Sequence, residues 1–169
     1  MINNFYKEDN RGFTLVELLV VITILGILAS IGLATFTSAQ ARGRDAQRKS
    51  DLKQIANSLE LYYQDYGKYP GSLNGQLLGC PSTTSKACVW GTGEFWDNKS
   101  IYFRVLPKDP TAKTSYNYQI VNGSMNQKFQ IFAHLENSQD SEIISTTYSC
   151  GNNIVCNFAI TSPNTSASE

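Results

Sequence analysis

The chain has 169 residues, 41% of them hydrophobic and 17% charged, a balance that suits one globular domain carrying one membrane segment. Fourteen basic residues offset fourteen acidic ones, so the net charge is zero. The one basic cluster, Arg42, Arg44, Arg48, Lys49 and Lys53, is interleaved with Asp45, Gln47 and Asp51, lacks interleaved aromatics and directly follows an apolar run. That pattern excludes nucleic acid as the expected partner.

Residues 1–12 form a short polar head containing Lys7 and Arg11. From Leu18 to Phe36 nineteen residues follow without one charged side chain, close to the roughly 20 apolar residues that a spanning helix needs. An ordinary secretory signal has a shorter apolar core with a small-residue cleavage site behind it, and only Ala39 and Ala41 offer a weak version of such a site. The run is therefore read as an anchor that is retained. Glu17 stands at its leading edge. A carboxylate at the centre of a spanning helix costs roughly 3 kcal/mol and less toward the interface, so Glu17 asks for a partner.

Lys7 and Arg11 precede the run, whereas Arg42, Arg44, Arg48 and Lys49 follow it. Taken alone, the positive-inside rule puts the C-terminal part in the cytoplasm. The cysteines argue the reverse. Cys80, Cys88, Cys150 and Cys156 have the spacings C-x7-C and C-x5-C, which do not suit a zinc knuckle, and their even number points to disulfides and an oxidising compartment. Of the three possible pairings, the local one is preferred: Cys80 with Cys88, and Cys150 with Cys156.

Beyond Phe36 the helical pattern continues. Leu52, Ile55, Ala56, Leu59, Tyr62, Tyr63 and Tyr66 recur at intervals of three and four, with Arg48, Lys49, Asp51, Lys53, Gln54, Asn57, Glu60 and Gln64 between them. Gly67 and Pro70 supply a stop. The pattern predicts one helix from Thr14 to Tyr66, on the order of 80 Å long at 1.5 Å per residue. Strand-like runs follow at 101–105, 116–121, 128–134, 143–148 and 154–160, with Asn122-Gly123 as a turn. They predict a small antiparallel meander lidded by Leu52, Ile55, Leu59, Tyr62 and Tyr66. The polar tail 161–169 is expected to be flexible. The fold class is thus α+β, divided into a leader at 1–12, an apolar helix at 13–37, an amphipathic helix half at 38–67, a β-sheet head at 68–160 and the tail.

The string Arg11-Gly12-Phe13-Thr14-Leu15-Val16-Glu17-Leu18-Leu19-Val20-Val21-Ile22 closely resembles the class III signal of type IV pilins and type II secretion pseudopilins. The resemblance extends through Tyr62-Tyr63 to Pro70. It reappears at Leu106-Pro-Lys-Asp-Pro110, Tyr116-Asn-Tyr118 and Phe129-Gln-Ile131 to Leu135-Glu136, and fades beyond Ser141. It implies the ladle-like pilin fold, and a prepilin peptidase that cuts between Gly12 and Phe13 and methylates the new Phe13 amine. It also implies that Glu17 pairs with the terminal amine of a neighbouring subunit. Cleavage would set that amine, of ordinary pKa roughly 8, four residues before Glu17. Many pilins carry a proline further along this segment, in the region that Ala34 occupies here.

Gly26, Ser30 and Ala34 recur every four residues, the small-xxx-small spacing that lets apolar helices approach closely. His134, the one histidine, lies in a strand pattern and reads as structural. Glu136, Asp140 and Glu142 lack calcium-loop spacing and read as solvated loop acids. No catalytic, metal or cofactor site is expected. The preferred reading is a structural subunit of a type IV pilus-like surface filament, assembled from the inner membrane on an assembly platform, held by membrane lipid beforehand and surrounded by copies or relatives of itself. The four cysteines and the Ser/Thr/Asn-rich loops favour it. The alternative is a type II secretion pseudopilin building a short periplasmic piston, favoured by Leu106–Pro110, and a membrane-anchored enzyme comes last.

Overall fold

No proline interrupts the chain between Thr14 and Tyr66, and these residues produce one helix, α1 (Leu15–Tyr66). The computed structural model describes residues 12–80, 86–121 and 125–168. Lys7, Arg11 and the rest of the leader before Gly12 lie outside the described residues, as does the Asn122-Gly123 turn. The helix stops where a glycine permits it: Gly67 adopts φ +65° and its N–H donates to the Tyr63 carbonyl at 2.7 Å, the left-handed ending that glycine favours. The chain divides into two compact units, Met1–Ala39 and Gln40–Glu169.

In the first unit the large apolar side chains face outward. Leu18, Ile22, Leu25, Leu28, Ile31 and Phe36 are all more than half exposed, and the helix is long and apolar enough to cross a membrane. In the second unit α1 becomes one-sided. Leu52, Ile55 and Leu59 are completely buried, whereas Leu61, two residues on from Leu59, is 53% exposed. This stripe packs on Tyr116, Tyr118, Phe129, Ile131 and Phe158, and Tyr62 and Tyr63 pack at its end.

The sheet beneath is antiparallel, ordered β5 (Asn117–Ile120), β6 (Phe129–Ala133), β7 (Phe158–Thr161). Tyr118 aligns with Ile131 and Ile131 with Ile160. Central β6 is buried along its whole length. There are two further two-stranded sheets: β1 (Ser72–Leu73) with β2 (Gln76–Leu77), which lies against β5, and β3 (Phe95–Trp96) with β4 (Ile101–Phe103). Asn74 and Gly75, both at positive φ (51° and 77°), make the two-residue turn between β1 and β2, the backbone that Asn-Gly suits best. The disulfides are Cys80–Cys88 and Cys150–Cys156.

Two expectations need correction. Residues 143–148 do not form a strand. The chain there makes single contacts, with the Ile144 N–H on the Asn157 carbonyl, the Cys156 N–H on the Tyr148 carbonyl and one bridge between Ser149 and Val155. The short disulfide loop, with Asn152 and Asn153 at positive φ, turns the chain too sharply for a ladder to extend. The tail, in turn, is docked. Thr161 ends β7, Ser162 is buried with its hydroxyl accepting the Phe129 N–H at 3.2 Å, and the Ser166 carbonyl accepts from Gln130 at 2.7 Å. Main-chain and hydroxyl hydrogen bonds hold a segment that has no large apolar side chain to pack.

Leu59 and Leu61 give a matched test of the lid. Leu59→Ala should destabilise the second unit by about 3 kcal/mol, whereas Leu61→Ala should change stability by less than about 0.5 kcal/mol, both read from urea unfolding of the detergent-solubilised chain.

Candidate assembly site

Gly12 and Phe13 precede the helix outside any regular element. Phe13 is 89% exposed, and a Cβ built on Gly12 would meet nothing within 4 Å. The next residue answers part of the question that Glu17 posed. The Thr14 N–H and hydroxyl both donate to Glu17 Oε2, at 2.8 and 2.7 Å, and the Glu17 N–H donates back to Thr14 Oγ1 at 3.2 Å. This is a capping box, which satisfies amides that the first turn of a helix leaves without partners. The Thr-x-x-Glu spacing is its signal in the sequence. Glu17 therefore has an intramolecular partner at the helix mouth before any neighbour arrives.

Gly26 and Ser30 lie one turn apart on the exposed helix. A Cβ on Gly26 would meet nothing within 4 Å, and the Ser30 hydroxyl is turned back to the Ile27 carbonyl at 2.8 Å. Ser30 thus leaves no unsatisfied polar group on that face. The side chain of Ala34 lies outside the described residues.

The basic cluster after the apolar run is organised by the head. Arg48 is fully buried: its Nε and Nη2 donate to the two oxygens of Asp109, each at 2.9 Å, and its Nη1 donates to Asp45 and Glu136, each at 2.8 Å. Asp45 also accepts the N–H groups of Glu136 and Asn137 at 2.9 and 2.8 Å. Arg44 Nε donates to Glu136 at 2.8 Å, and Lys49 reaches Asp140 at 2.9 Å and Glu142 at 2.7 Å. The reading of Arg48 as a solvated residue between the apolar positions is thus corrected. Arg48, Leu52, Ile55 and Leu59 are separated by four, three and four residues, so spacing alone sets Arg48 on the buried stripe. Glu136, Asp140 and Glu142 are not free loop acids either; helix cations neutralise them. Among the described residues no group of three or more His, Cys, Asp or Glu side chains is placed to hold a metal. His134 hydrogen-bonds through Nδ1 with the Val155 carbonyl at 2.8 Å.

Arg44, Arg48 and Lys49 thus all meet carboxylates in the folded head. Hydrogen bonds from Arg44, opposed by burial and reinforced by Arg48, hold the Glu136 carboxyl down to about 2. Burial pushes the Asp51 carboxyl up, although the Tyr116 hydroxyl donates to it at 2.7 Å.

With the helix mouth and the head described, similarity to known proteins becomes informative. The prokaryotic N-terminal methylation motif matches residues 9–33, and the family model for type II secretion system protein G matches residues 35–142. The chain belongs to the type II secretion system protein G family. Type II secretion system core protein G of Klebsiella pneumoniae is 31% identical over 128 residues, covering 75% of this chain and 84% of the relative. Its counterpart in Pseudomonas aeruginosa is 33% identical over 106 residues, 62% of this chain and 70% of that protein. The type IV major pilin protein PilA of Myxococcus xanthus is 37% identical over 69 residues, only 41% of this chain and 31% of the pilin. No solved structure matches. The family is a structural one, and the relatives reverse the sequence-based preference: the pseudopilin reading has better support than the surface pilus.

Two measurements check the head clamp. Arg48→Ala leaves Asp45 and Asp109 buried without their cation and should cost about 3–5 kcal/mol in chemical unfolding. Glu136, ordinarily near 4.5 and held at about 2 in the fold, contributes stability that is complete above pH 4.5 and lost as the pH falls toward 2. An acid titration of the unfolding midpoint should therefore fall less in Glu136→Gln, already weakened at neutral pH, than in the parent chain.

Proposed function

We propose that this chain is a pseudopilin precursor: the leader is removed after Gly12, the Phe13 amine is methylated, and mature subunits assemble from the inner membrane into a short periplasmic filament that serves type II secretion. The observation that carries this reading is the match of the protein G family model to residues 35–142, most of the described head. The methylation motif at 9–33 supports the processing step.

The chain's own groups supply a mechanism for assembly. In the membrane the capping box holds Glu17 at the start of the apolar helix and satisfies it with dipoles but no opposite charge. A neighbour's Phe13 amine supplies that charge, and a close ion pair offsets desolvation that neither ion offsets alone. Lipid covers the apolar side chains until packed helices replace it, and Gly26 and Ser30 let those helices approach. Prepilin peptidase and a membrane assembly platform are the partners that this route requires.

The test is mass spectrometry of the mature protein, with its location. The reading expects a chain of 157 residues (169 minus 12) beginning at methylated Phe13 and retained in the cell envelope. Intact Met1 in assembled material would overturn the processing step, and recovery mainly in sheared surface fibres would favour a pilus. Glu17→Ala should be processed normally yet assemble with at least about 10-fold lower yield, a loss that corresponds to roughly 1.4 kcal/mol per subunit addition.

A further inference from the structure

Both disulfides end at one cleft. Val89 and Trp90, directly after Cys88, form one wall, and Ser149 and Gly151, either side of Cys150, form another. The β1–β2 turn and the start of β5 complete a cleft of about 420 Å³, within the size range of small-molecule sites. Its walls are fixed by hydrogen bonds: the Ser115 N–H on the Cys150 carbonyl at 2.8 Å, the Tyr118 N–H on the Gly75 carbonyl at 2.9 Å, and the Asn117 side-chain Nδ2 on the Ser149 carbonyl at 2.7 Å. The Asn117 side chain lies so close to Gly75 that a Cβ there would stand 3.0 Å from it. A cleft cross-linked in this way is preorganised.

The polar groups that remain are of one kind. No lining residue is charged. Asn74, Gln76 and Ser115 have side chains with no hydrogen-bond partner among the described residues, and the indole N–H of Trp90 is buried without an acceptor. The Trp90 ring is half-buried and meets Tyr116 edge-on, with centroids 5.8 Å apart. The missing charge argues against phosphate or carboxylate ligands, which call for Arg or Lys. The paired main chain argues against an added peptide strand, whose affinity comes from main-chain hydrogen bonds. Carboxamides and a hydroxyl beside an indole suit a ligand with many hydroxyls and an apolar ring face.

We infer that this cleft binds a neutral pyranose unit of a polysaccharide, with Gln76 and Ser115 meeting its hydroxyls and Trp90 its ring face. The site is independent of the assembly role and tests separately from it. The experiment titrates the full chain in detergent micelles, ¹⁵N-labelled at the indoles, with N-acetylglucosamine trimer, maltotriose or trialanine. Trp96, the other tryptophan, is the internal control. The expected result is a saturable shift of the Trp90 indole signal with one or both sugars while Trp96 stays still, with the midpoint raised about 5-fold by Gln76→Ala and by Ser115→Ala, one hydrogen bond each. A response to the trimer alone selects an amino-sugar polymer as the source, and a response to maltotriose alone selects a plain hexose polymer. No saturable shift with either sugar, an equal response to trialanine, or midpoints unchanged in both variants would overturn the inference.

Discussion

One constraint governs this molecule: the apolar half of α1 cannot remain in water. Between Leu18 and Phe36 twelve large apolar side chains are each at least 47% exposed. At about 1.5–3 kcal/mol for each such side chain buried, moving them into lipid or among other helices yields on the order of tens of kcal/mol, far more than the few that Glu17 costs near the interface. The carboxylate therefore follows the apolar run into its environment. What the fold itself supplies to Glu17 there is the Thr14 dipoles; the proposed assembly adds the amine that leader removal would create.

The head solves a different problem, holding a small set of short strands against one side of a helix. The apolar stripe supplies the burial and Arg48 supplies the register. A buried ion network is weak evidence for net stability, since desolvation offsets much of the attraction. Its geometry is nonetheless selective. Arg48 reaches Asp109 on one connection and Glu136 on another while Asp45 binds two amides of the second, so both connections are fixed to one stretch of helix. A slip of either connection by one residue would bury a carboxylate without its cation.

How much of this was legible depended on how local the signal was. The helix and its end followed from period and from Gly67, and β5 and β6 followed from alternation and apolar density. The local cysteine pairs could be preferred because short spacings favour them. The strands β1, β2 and β3, two residues each, are too short to carry a period. Arg48 falls on the buried stripe by spacing while its residue type points to solvent, and the role of Glu136 depends on a partner 88 residues away in the chain. The docked tail was illegible for a further reason. Its hydrogen bonds run to the main chain and to polar side chains, and composition does not record them.

The central claim is that Glu17 exchanges its own Thr14 for a neighbour's amine. It is tested most directly by a filament map at side-chain resolution of the assembled, processed protein. The account predicts Glu17 oxygens at about 2.7–3.2 Å from the methylated Phe13 nitrogen of an adjacent subunit. A filament in which each Glu17 still bonds only to its own Thr14, with no amine within reach, would contradict it.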